Sequence, residues 1–134
     1  MTDMELVDVA LRAMERSYAP YSQFNVGAAL LGKSGNVYSG CNVENASYGA
    51  CNCAERTAVF KAVSEGEREF TAIAIVGGKD GRVNGFCAPC GICRQVLSEF
   101  AKSDFAVILY NGTQTEHHTL GSLLPMSFSS EDMK

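Results

Sequence analysis

The sequence has no tryptophan, only two histidines and three prolines, and no run of lysine or arginine. None of its apolar runs approaches the roughly 20 residues that a membrane-spanning helix requires. Its 11 basic residues are outnumbered by 15 acidic ones, which gives a net charge of −4. Binding to nucleic acid or anionic lipid depends on clustered cations. The composition therefore argues against nucleic-acid and membrane partners and favours a small-molecule substrate.

The segment at 1–5 lacks the basic and apolar parts of a secretory signal peptide, so we expect a cytoplasmic protein. In a reducing compartment, six cysteines are more often metal ligands, reactive thiols or core residues than a disulfide framework. A chain of this length buries roughly two-thirds of its unfolded surface, which is enough for one core. With no internal repeat or linker, residues 1–134 are expected to form a single domain.

The hydrophobic pattern predicts an α/β fold with the order α-β-β-α-β-α-β-β. The first helix begins at a capping-box pair, Thr2 and Glu5, and is expected to end at Pro20. A Gly-rich loop is expected at 77–86. The other predicted elements are strands at 26–31 and 37–41, a helix at 53–64, a strand at 72–76, a helix after Pro89, and strands at 105–109 and 114–119.

Short connections predict how these strands pair. The turn at 33–36 suits a hairpin, whereas the helix between the strands at 72–76 and 105–109 implies a β-helix-β crossover. The Asn111-Gly112 turn leaves no room for a helix between the last two strands. Those two strands are therefore expected to run antiparallel, within a mixed sheet covered by helices.

The strongest chemical signal is a pair of motifs, CAER at 53–56 and PCGIC at 89–93. Each motif falls at a predicted helix N-terminus, where free N–H groups and the positive end of the helix dipole favour thiolates. Three cysteines, Cys53, Cys90 and Cys93, suit a catalytic zinc site. Three protein ligands leave one tetrahedral position for water, which zinc makes acidic enough to ionise near neutral pH.

Two charged residues adjoin Cys53. Glu55 can reach that water only if Cys53 lies on a non-ideal first turn, since a regular helix would separate their side chains by roughly 200°. Arg56 can share the helix face of Cys53 and hydrogen-bond the thiolates. By offsetting their negative charge, Arg56 would keep the metal a better Lewis acid.

Other interpretations of the cysteines remain open. Cys87 and Cys90 also form a Cys-x-x-Cys pair of redox appearance, although a thioredoxin-like motif belongs after the first strand of its fold. Together with Cys93 they resemble the start of an iron–sulfur run, but the fourth position is Leu97. On spacing alone, Cys87 could also be a zinc ligand with Cys90. A non-catalytic module with four cysteines on structural zinc is a further alternative, in which Glu55 would have no use.

Four further residues are assigned no chemistry. Cys41 and Cys51 are interpreted as buried or partly buried small residues, although Cys51 alternates with Cys53 and could lie near the metal. His117 and His118 are neighbours on a predicted strand and face opposite sides of it. They cannot both join one site, and a surface location is expected for them.

At these motifs the sequence resembles the zinc-dependent deaminases, whose signature is His-x-Glu followed by Pro-Cys-x-x-Cys. Cys53 stands at the histidine position. That replacement and four further motifs are similar to the small homotetrameric cytidine deaminases, over nearly the whole chain. The four motifs are YAPYS at 18–22, VGAAL at 26–30, GCNVENA at 40–46 and LLP at 123–125.

The resemblance implies a three-layer fold, with a mixed five-stranded sheet and helices on both faces. It implies one zinc ion per chain on Cys53, Cys90 and Cys93, and hydrolytic deamination of cytidine and 2′-deoxycytidine to uridine and 2′-deoxyuridine, a step of pyrimidine salvage. Glu55 would take a proton from zinc-bound water and deliver it to ring N3 as hydroxide attacks C4. It would then help the amino group leave as ammonia.

The resemblance also implies the substrate contacts. Asn42 and Glu44 are two residues apart on an extended segment, so they point the same way and suit hydrogen bonds to a ribose. The other implied contacts are Phe24 against the pyrimidine, Val43, the backbone around Ala46 and Ala54, and Tyr48 and Phe128 entering the site of a neighbouring subunit. A homotetramer with shared active sites is therefore expected.

The direct connection between the last two strands also separates branches of the superfamily. The resemblance implies that nucleoside deaminases join these strands directly, whereas deaminases of polynucleotides and bases place a helix there. A sister enzyme for a related aminopyrimidine nucleoside, such as a nucleoside antibiotic, remains an alternative. The loop at 77–85 departs from the family pattern and could alter the rim of the site.

Overall fold

The helices and strands follow one another in the predicted order, and the computed structural model describes all residues, 1–134. The helices are α1 Asp3–Met14, α2 Ala54–Ser64, α3 Gly91–Phe100 and the short α4 Leu120–Leu123. The strands are β1 Phe24–Gly32, β2 Val37–Cys41, β3 Phe70–Lys79, β4 Ala106–Tyr110 and β5 Thr115–Thr119. Two 3₁₀ turns, Tyr48–Ala50 and Ser130–Met133, complete the list. These turns and α4 had no counterpart in the sequence prediction.

The five strands form one mixed sheet in the order β2-β1-β3-β4-β5. β1 runs antiparallel to both β2 and β3, whereas β3 and β4 are parallel and are joined through α3. The tight turn at Asn111 and Gly112 returns the chain so that β5 runs antiparallel to β4. Gly112 has φ +102°, a conformation that favours glycine. The predicted fold class and the antiparallel last pair are confirmed.

The sheet has a buried core on each face because its strands alternate their side chains. On one face, Ala74 and Val76 of β3 pack with α1, which buries Leu6, Val7 and Ala10. On the other face, Ile73 and Ile75 pack with α2, and α3 adds Leu97. The three layers are thus α1, the sheet, and the pair α2 and α3.

A close approach between α2 and β2 places the start of α2 against the sheet. Ala54, Ala58 and Ala62 are fully buried along the inner face of α2. A Cβ atom on Gly40 of β2 would lie 2.5 Å from the carbonyl oxygen of Ala54 and 2.6 Å from the backbone nitrogen of Ala58. Only glycine opposite small residues allows this spacing.

Two predicted boundaries are wrong. α1 ends at Met14 instead of continuing to Pro20, because Tyr18 pairs its backbone with the segment after β2. The amide of Tyr18 donates to Asn42 (3.0 Å) and its carbonyl accepts from Glu44 (2.8 Å). This pairing brings the YAPYS segment beside the residues that follow β2.

The loop predicted to begin at Gly77 is also wrong at its start, since β3 continues to Lys79. Gly77 and Gly78 pair with Val26 and Asn25 of β1. A Cβ atom on Gly77 would lie 2.9 Å from the sulfur of Cys87, so a glycine is required at this contact. No helix in the structure combines the length and the hydrophobicity needed to cross a membrane.

Candidate metal centre and active site

Three cysteine sulfurs converge where α2 and α3 begin. The ligand atoms of Cys53, Cys90 and Cys93 all lie within 4.8 Å of one another. The sulfur of Cys90 is 3.8 Å from that of Cys53 and 3.4 Å from that of Cys93. Tetrahedral zinc with Zn–S bonds of about 2.3 Å holds its sulfurs roughly 3.8 Å apart. The three thiols therefore fit one zinc ion, and Cys87 is not part of the cluster.

Helix starts determine the direction of these sulfurs. Cys53 is the N-cap of α2 and Cys90 the N-cap of α3, both with extended backbones (φ −75°, ψ 155° and φ −69°, ψ 168°). Cys93 follows in the first turn of α3 and is fully buried. Two helix N-termini therefore meet at the cluster, where their positive ends stabilise thiolates.

Arg56 adds a positive charge to the cluster. Its Nη2 donates a hydrogen bond to the sulfur of Cys53 at 3.3 Å. Hydrogen bonds from Cys93 and then from Arg56 lower the pKa of Cys53 to about 5. Cys93 keeps its proton, because its hydrogen bond with Cys53 and its burial both raise the pKa of Cys93. The site thus favours a thiolate at Cys53 before any metal binds.

Glu55 is the only charged residue buried in the chain, with 4% of its surface exposed. The extended backbone of Cys53 removes the separation that a regular helix would impose, and both residues line the same cavity. Desolvation raises the pKa of Glu55 to about 7. A carboxyl group with a pKa near neutrality can both accept and donate a proton.

A cavity of about 250 Å³ joins the cysteine cluster to the segment after β2. Its lining includes Cys53, Glu55 and Cys90 on one side and Asn42 and Glu44 of the segment after β2. The other lining residues are Ser22, Phe24, Val26, Cys51, Asn52, Ala54, Cys87 and Ala88. Five residues that the resemblance assigned to catalysis or substrate binding, Phe24, Asn42, Glu44, Ala54 and Glu55, thus lie around one space.

Asn42 is held by the backbone of β1. Its Oδ1 accepts from the amide of Val26 at 2.9 Å, and its Nδ2 donates to the carbonyl of Phe24 at 2.8 Å. An asparagine side chain has one further N–H and one further lone pair after these two bonds. Asn42 therefore keeps a free donor and a free acceptor for a ligand.

Glu44 is held by the loop before β1. Its Oε1 accepts from the amides of Tyr21 (3.0 Å) and Ser22 (3.1 Å), and its Oε2 accepts from the hydroxyl of Ser22. These bonds, the Ser22 hydroxyl first, lower the pKa of Glu44. Glu44 is thus an oriented carboxylate at the mouth of the cavity.

Four of the expected substrate residues lie outside this cavity: Val43, Ala46, Tyr48 and Phe128. The side chains of Phe128 and Tyr48 are 60% and 74% exposed. Tyr48 also lines an adjoining cavity of about 240 Å³ with Glu44 of its own chain. Tyr48 and Phe128 are expected in the site of a neighbouring subunit, which stays a prediction, whereas Val43 and Ala46 do not line the cavity of their own chain.

The remaining cysteines and histidines lie outside the metal cluster. Cys87 lines the cavity, and its burial raises its pKa to about 12. Cys51 is partly buried, and its sulfur accepts from the amide of Asn45 at 3.2 Å. His118 contacts Glu116 at 2.8 Å, away from the cysteine cluster. Leu97, at the position of a fourth iron–sulfur ligand, is fully buried in the core.

Sequence reasoning missed two residues that hold the site together. Ser22 donates from its amide and its hydroxyl to the carboxylate of Glu44. Its place in the YAPYS motif was the only sequence feature that pointed to it. Arg94, directly after Cys93, donates from Nε to the carbonyl of Pro89 (2.8 Å) and from Nη1 to that of Leu123 (2.7 Å). Arg94 thereby ties the segment before Cys90 to α4.

Comparisons with known proteins agree with this arrangement. Residues 1–109 match the family model described as the cytidine and deoxycytidylate deaminase zinc-binding region. The chain is 48% identical over 130 residues to the cytidine deaminase of Sporosarcina psychrophila, covering 96% of this chain and 93% of that protein. It is 50% identical over 129 residues to the cytidine deaminase of Halalkalibacterium halodurans, covering 96% and 95%.

A solved structure gives the same result for the fold. The crystal structure of a cytidine deaminase from Burkholderia pseudomallei is similar to this chain with a TM-score of 0.88 and 50% sequence identity. The similarity covers 96% of this chain and 100% of that one. The fold around the cavity is therefore shared with a solved cytidine deaminase.

Proposed function

The chain belongs to the cytidine and deoxycytidylate deaminase family, and we propose that it hydrolyses cytidine and 2′-deoxycytidine to uridine and 2′-deoxyuridine with release of ammonia. The observation that carries this proposal is a buried glutamate beside three converging thiols, in a cavity that also contains two oriented polar side chains. A purely structural zinc site would need neither the glutamate nor the cavity.

Cys53, Cys90 and Cys93 would hold the zinc ion. When bound, zinc supplies Lewis acidity, which lowers the pKa of water in the site. Arg56 offsets the negative charge of the thiolates through its hydrogen bond to Cys53.

Glu55 would move the protons. With a pKa near 7, it accepts a proton from the attacking water and donates it to ring N3 as the new C4–O bond forms. Glu55 then takes the proton of the new C4 hydroxyl and passes it to the exocyclic nitrogen, so that the C4–N bond breaks, ammonia leaves and C4 becomes the carbonyl carbon of uridine. Burial serves both steps because it keeps the pKa of the carboxyl group near neutral pH and shields the group from bulk water.

Asn42 and Glu44 would hold the ribose. Both residues line the cavity and are already bonded to β1 and to the loop before it, while Asn42 keeps a free N–H and a free lone pair and the Glu44 carboxylate keeps further acceptor lone pairs. Such fixed side chains lose little freedom when a ligand binds. Phe24 would pack against the pyrimidine, and the backbone of Val43, Ala46 and Ala54 would contribute further contacts.

We further propose that four copies assemble with shared active sites. The support is the exposure of two large aromatic side chains, Tyr48 and Phe128, which are residue types enriched at protein interfaces. Mixing Phe128→Ala protein with Glu55→Gln protein tests this sharing. If Phe128 completes a neighbour's site, subunit exchange creates sites with both native residues, and activity exceeds the sum of the two parents. Activity equal to that sum would contradict the sharing.

The proposal also includes the domain organisation and the cellular location of the protein. Residues 1–134 would constitute one deaminase domain, since all five strands form a single sheet. A cytoplasmic location fits the metal site because its three thiols must stay reduced to bind zinc.

A nucleoside panel tests the proposed substrate. Purified protein with one zinc per chain is expected to release ammonia from cytidine and 2′-deoxycytidine, and not from cytosine or a cytidine oligonucleotide. Turnover of an aminopyrimidine nucleoside antibiotic without turnover of cytidine would favour the sister enzyme instead. Full zinc content with no turnover of any nucleoside would favour a structural zinc module.

A further inference from the structure

A second cavity lies at the outer edge of the sheet, apart from the catalytic site. It has a volume of about 300 Å³ and lies between the end of α1, strand β2 and helix α2. Three basic side chains line it, Arg12, Arg16 and Lys61, and no aspartate or glutamate does. A concentration of positive charge is unexpected on a protein with a net charge of −4.

These three cations have no counterion in the chain. None of them takes part in an ion pair with a carboxylate in the structure. Like charges around one concave space repel each other, and low-dielectric walls strengthen that repulsion. An anion in the cavity would relieve it.

Backbone donors face the same cavity because β2 is an edge strand bonded only to β1. At the two ends of this ladder, Asn42 N donates to Val26 O (3.3 Å) and Gly32 N donates to Asn36 O (2.9 Å). Residues of an antiparallel strand alternate between facing the partner strand and facing away from it. The odd-numbered residues of β2 therefore direct both N–H and C=O to the outer edge.

Ser39 and Cys41 are the odd-numbered residues that line the cavity. Their carbonyls already have partners on α2, since Lys61 donates to Ser39 O and Thr57 donates to Cys41 O at 3.0 Å. Their N–H groups point to the same side and are left for a ligand. Lys61 also donates to the hydroxyl of Ser39 at 3.4 Å, which leaves one of its three N–H donors for a ligand.

We propose that this edge cavity binds a phosphate group, carried by inorganic phosphate or by a nucleotide. Arginine forks match phosphate oxygens in pairs, and the N–H groups of Ser39 and Cys41, two residues apart on the strand, can each donate to a different oxygen. A phosphate dianion would neutralise two of the three charges. Three cations in a concave space of this size suit a small anion, whereas a polynucleotide requires an extended basic surface.

Phosphate titration followed by amide NMR tests the proposal. Inorganic phosphate is added to the ¹⁵N-labelled zinc protein at constant ionic strength, with chloride as the comparison anion. The amides of Ser39 and Cys41 are expected to shift with saturation in phosphate and not in chloride. Absence of a saturable shift at these two amides would overturn the proposal.

Charge-matched variants separate the cavity from general electrostatics. Arg12→Gln with Arg16→Gln removes two charges from the cavity, whereas Arg82→Gln with Lys102→Gln removes two exposed charges elsewhere. The first pair is expected to weaken phosphate binding by at least about tenfold, because each lost contact is a hydrogen bond to a charged group. The second pair is expected to change it less than about twofold. Equal weakening in both would overturn the proposal.

The source of the phosphate group is assigned by repeating the titration with uridine 5′-monophosphate. Tighter binding of the nucleotide than of inorganic phosphate, lost in the Arg12→Gln/Arg16→Gln protein, assigns the cavity to nucleotides. Equal or weaker binding assigns it to free phosphate. Because binding is measured without turnover, this proposal can fail while the deaminase proposal stands, and the reverse also holds.

Discussion

The catalytic cavity has two ends that are built in different ways. The thiolate end consists of Cys53, Glu55, Cys90 and Cys93, and the nucleoside end consists of Phe24, Asn42 and Glu44. At the thiolate end, two helix N-termini position the three sulfurs, and burial encloses Cys93 and Glu55, whereas Cys53 is partly buried and Cys90 exposed. At the nucleoside end, the side chains are exposed or partly exposed, and the two polar ones, Asn42 and Glu44, are oriented by hydrogen bonds to the backbone of distant segments.

The difference indicates how each end should respond to change. At the thiolate end, one atom removed leaves an incomplete metal site or an uncompensated buried charge, so effects should be close to all or none. At the nucleoside end, water can replace a lost hydrogen bond, so effects should be graded and should fall mainly on KM.

The largest expected effect is that of Cys90→Ala, compared with the matched variant Cys87→Ala. Cys90→Ala removes one of three clustered sulfurs, and zinc affinity should fall by more than about 100-fold with loss of turnover. Cys87→Ala should keep one zinc per chain because its sulfur lies outside the cluster. Zinc content by mass spectrometry checks both. Equal loss of zinc from the two variants would contradict the assigned ligands.

Glu44→Gln should have a smaller effect than Cys90→Ala and should break the nucleoside end alone. The amide is neutral and cannot accept all three bonds that the loop donates, so KM for cytidine should rise by about 10- to 100-fold. The value of kcat should change by less than about fivefold. Steady-state kinetics measure KM and kcat of this variant, and Glu99→Gln, at an exposed position, is the control. A fall confined to kcat would contradict the division between the two ends.

Arg94→Gln should loosen the support behind the thiolate end. The variant leaves the carbonyls of Pro89 and Leu123 without their guanidinium partner, which should lower the free energy of unfolding by about 1–3 kcal/mol. Urea denaturation of the zinc protein measures the change. Arg82→Gln, at an exposed site, should change stability by less than about 0.5 kcal/mol. An Arg94→Gln protein as stable as Arg82→Gln would show that the two hydrogen bonds of Arg94 do not stabilise the fold.

The smallest effect concerns the titration of Glu44. Hydrogen bonds from Ser22 hold its pKa below the ordinary 4.5, so this carboxylate stabilises the fold above its unfolded pKa. That contribution is lost as the pH falls through the lowered pKa. Carboxyl ¹³C NMR should show an inflection below 4.5, and Ser22→Ala should move it upward. An unchanged inflection in Ser22→Ala would refute this cause.

The convergence of Cys53, Cys90 and Cys93 could be predicted from the sequence because its signals are local. Cys53 and Cys90 stand at the starts of α2 and α3, and a helix start can be recognised within a few residues. The order of elements and the antiparallel last pair followed from the same kind of short-range pattern.

The missed features depend on contacts between distant segments. α1 stops early because Tyr18 pairs with residues beyond β2, and β3 continues because β1 offers partners to Gly77 and Gly78. The contact between Ser22 and Glu44 joins positions 22 residues apart. Such pairings have no local signature, and for this reason the nucleoside end was predicted by resemblance more than by pattern.

Zinc content and turnover measured together on Glu55→Gln test the central claim most directly. The account predicts one zinc per chain, as in the native protein, and release of ammonia from cytidine slowed by about 10²- to 10⁴-fold. Glu65→Gln, at the exposed end of the same helix, should match the native protein in both measurements. Native turnover by a Glu55→Gln protein with full zinc content would contradict the account.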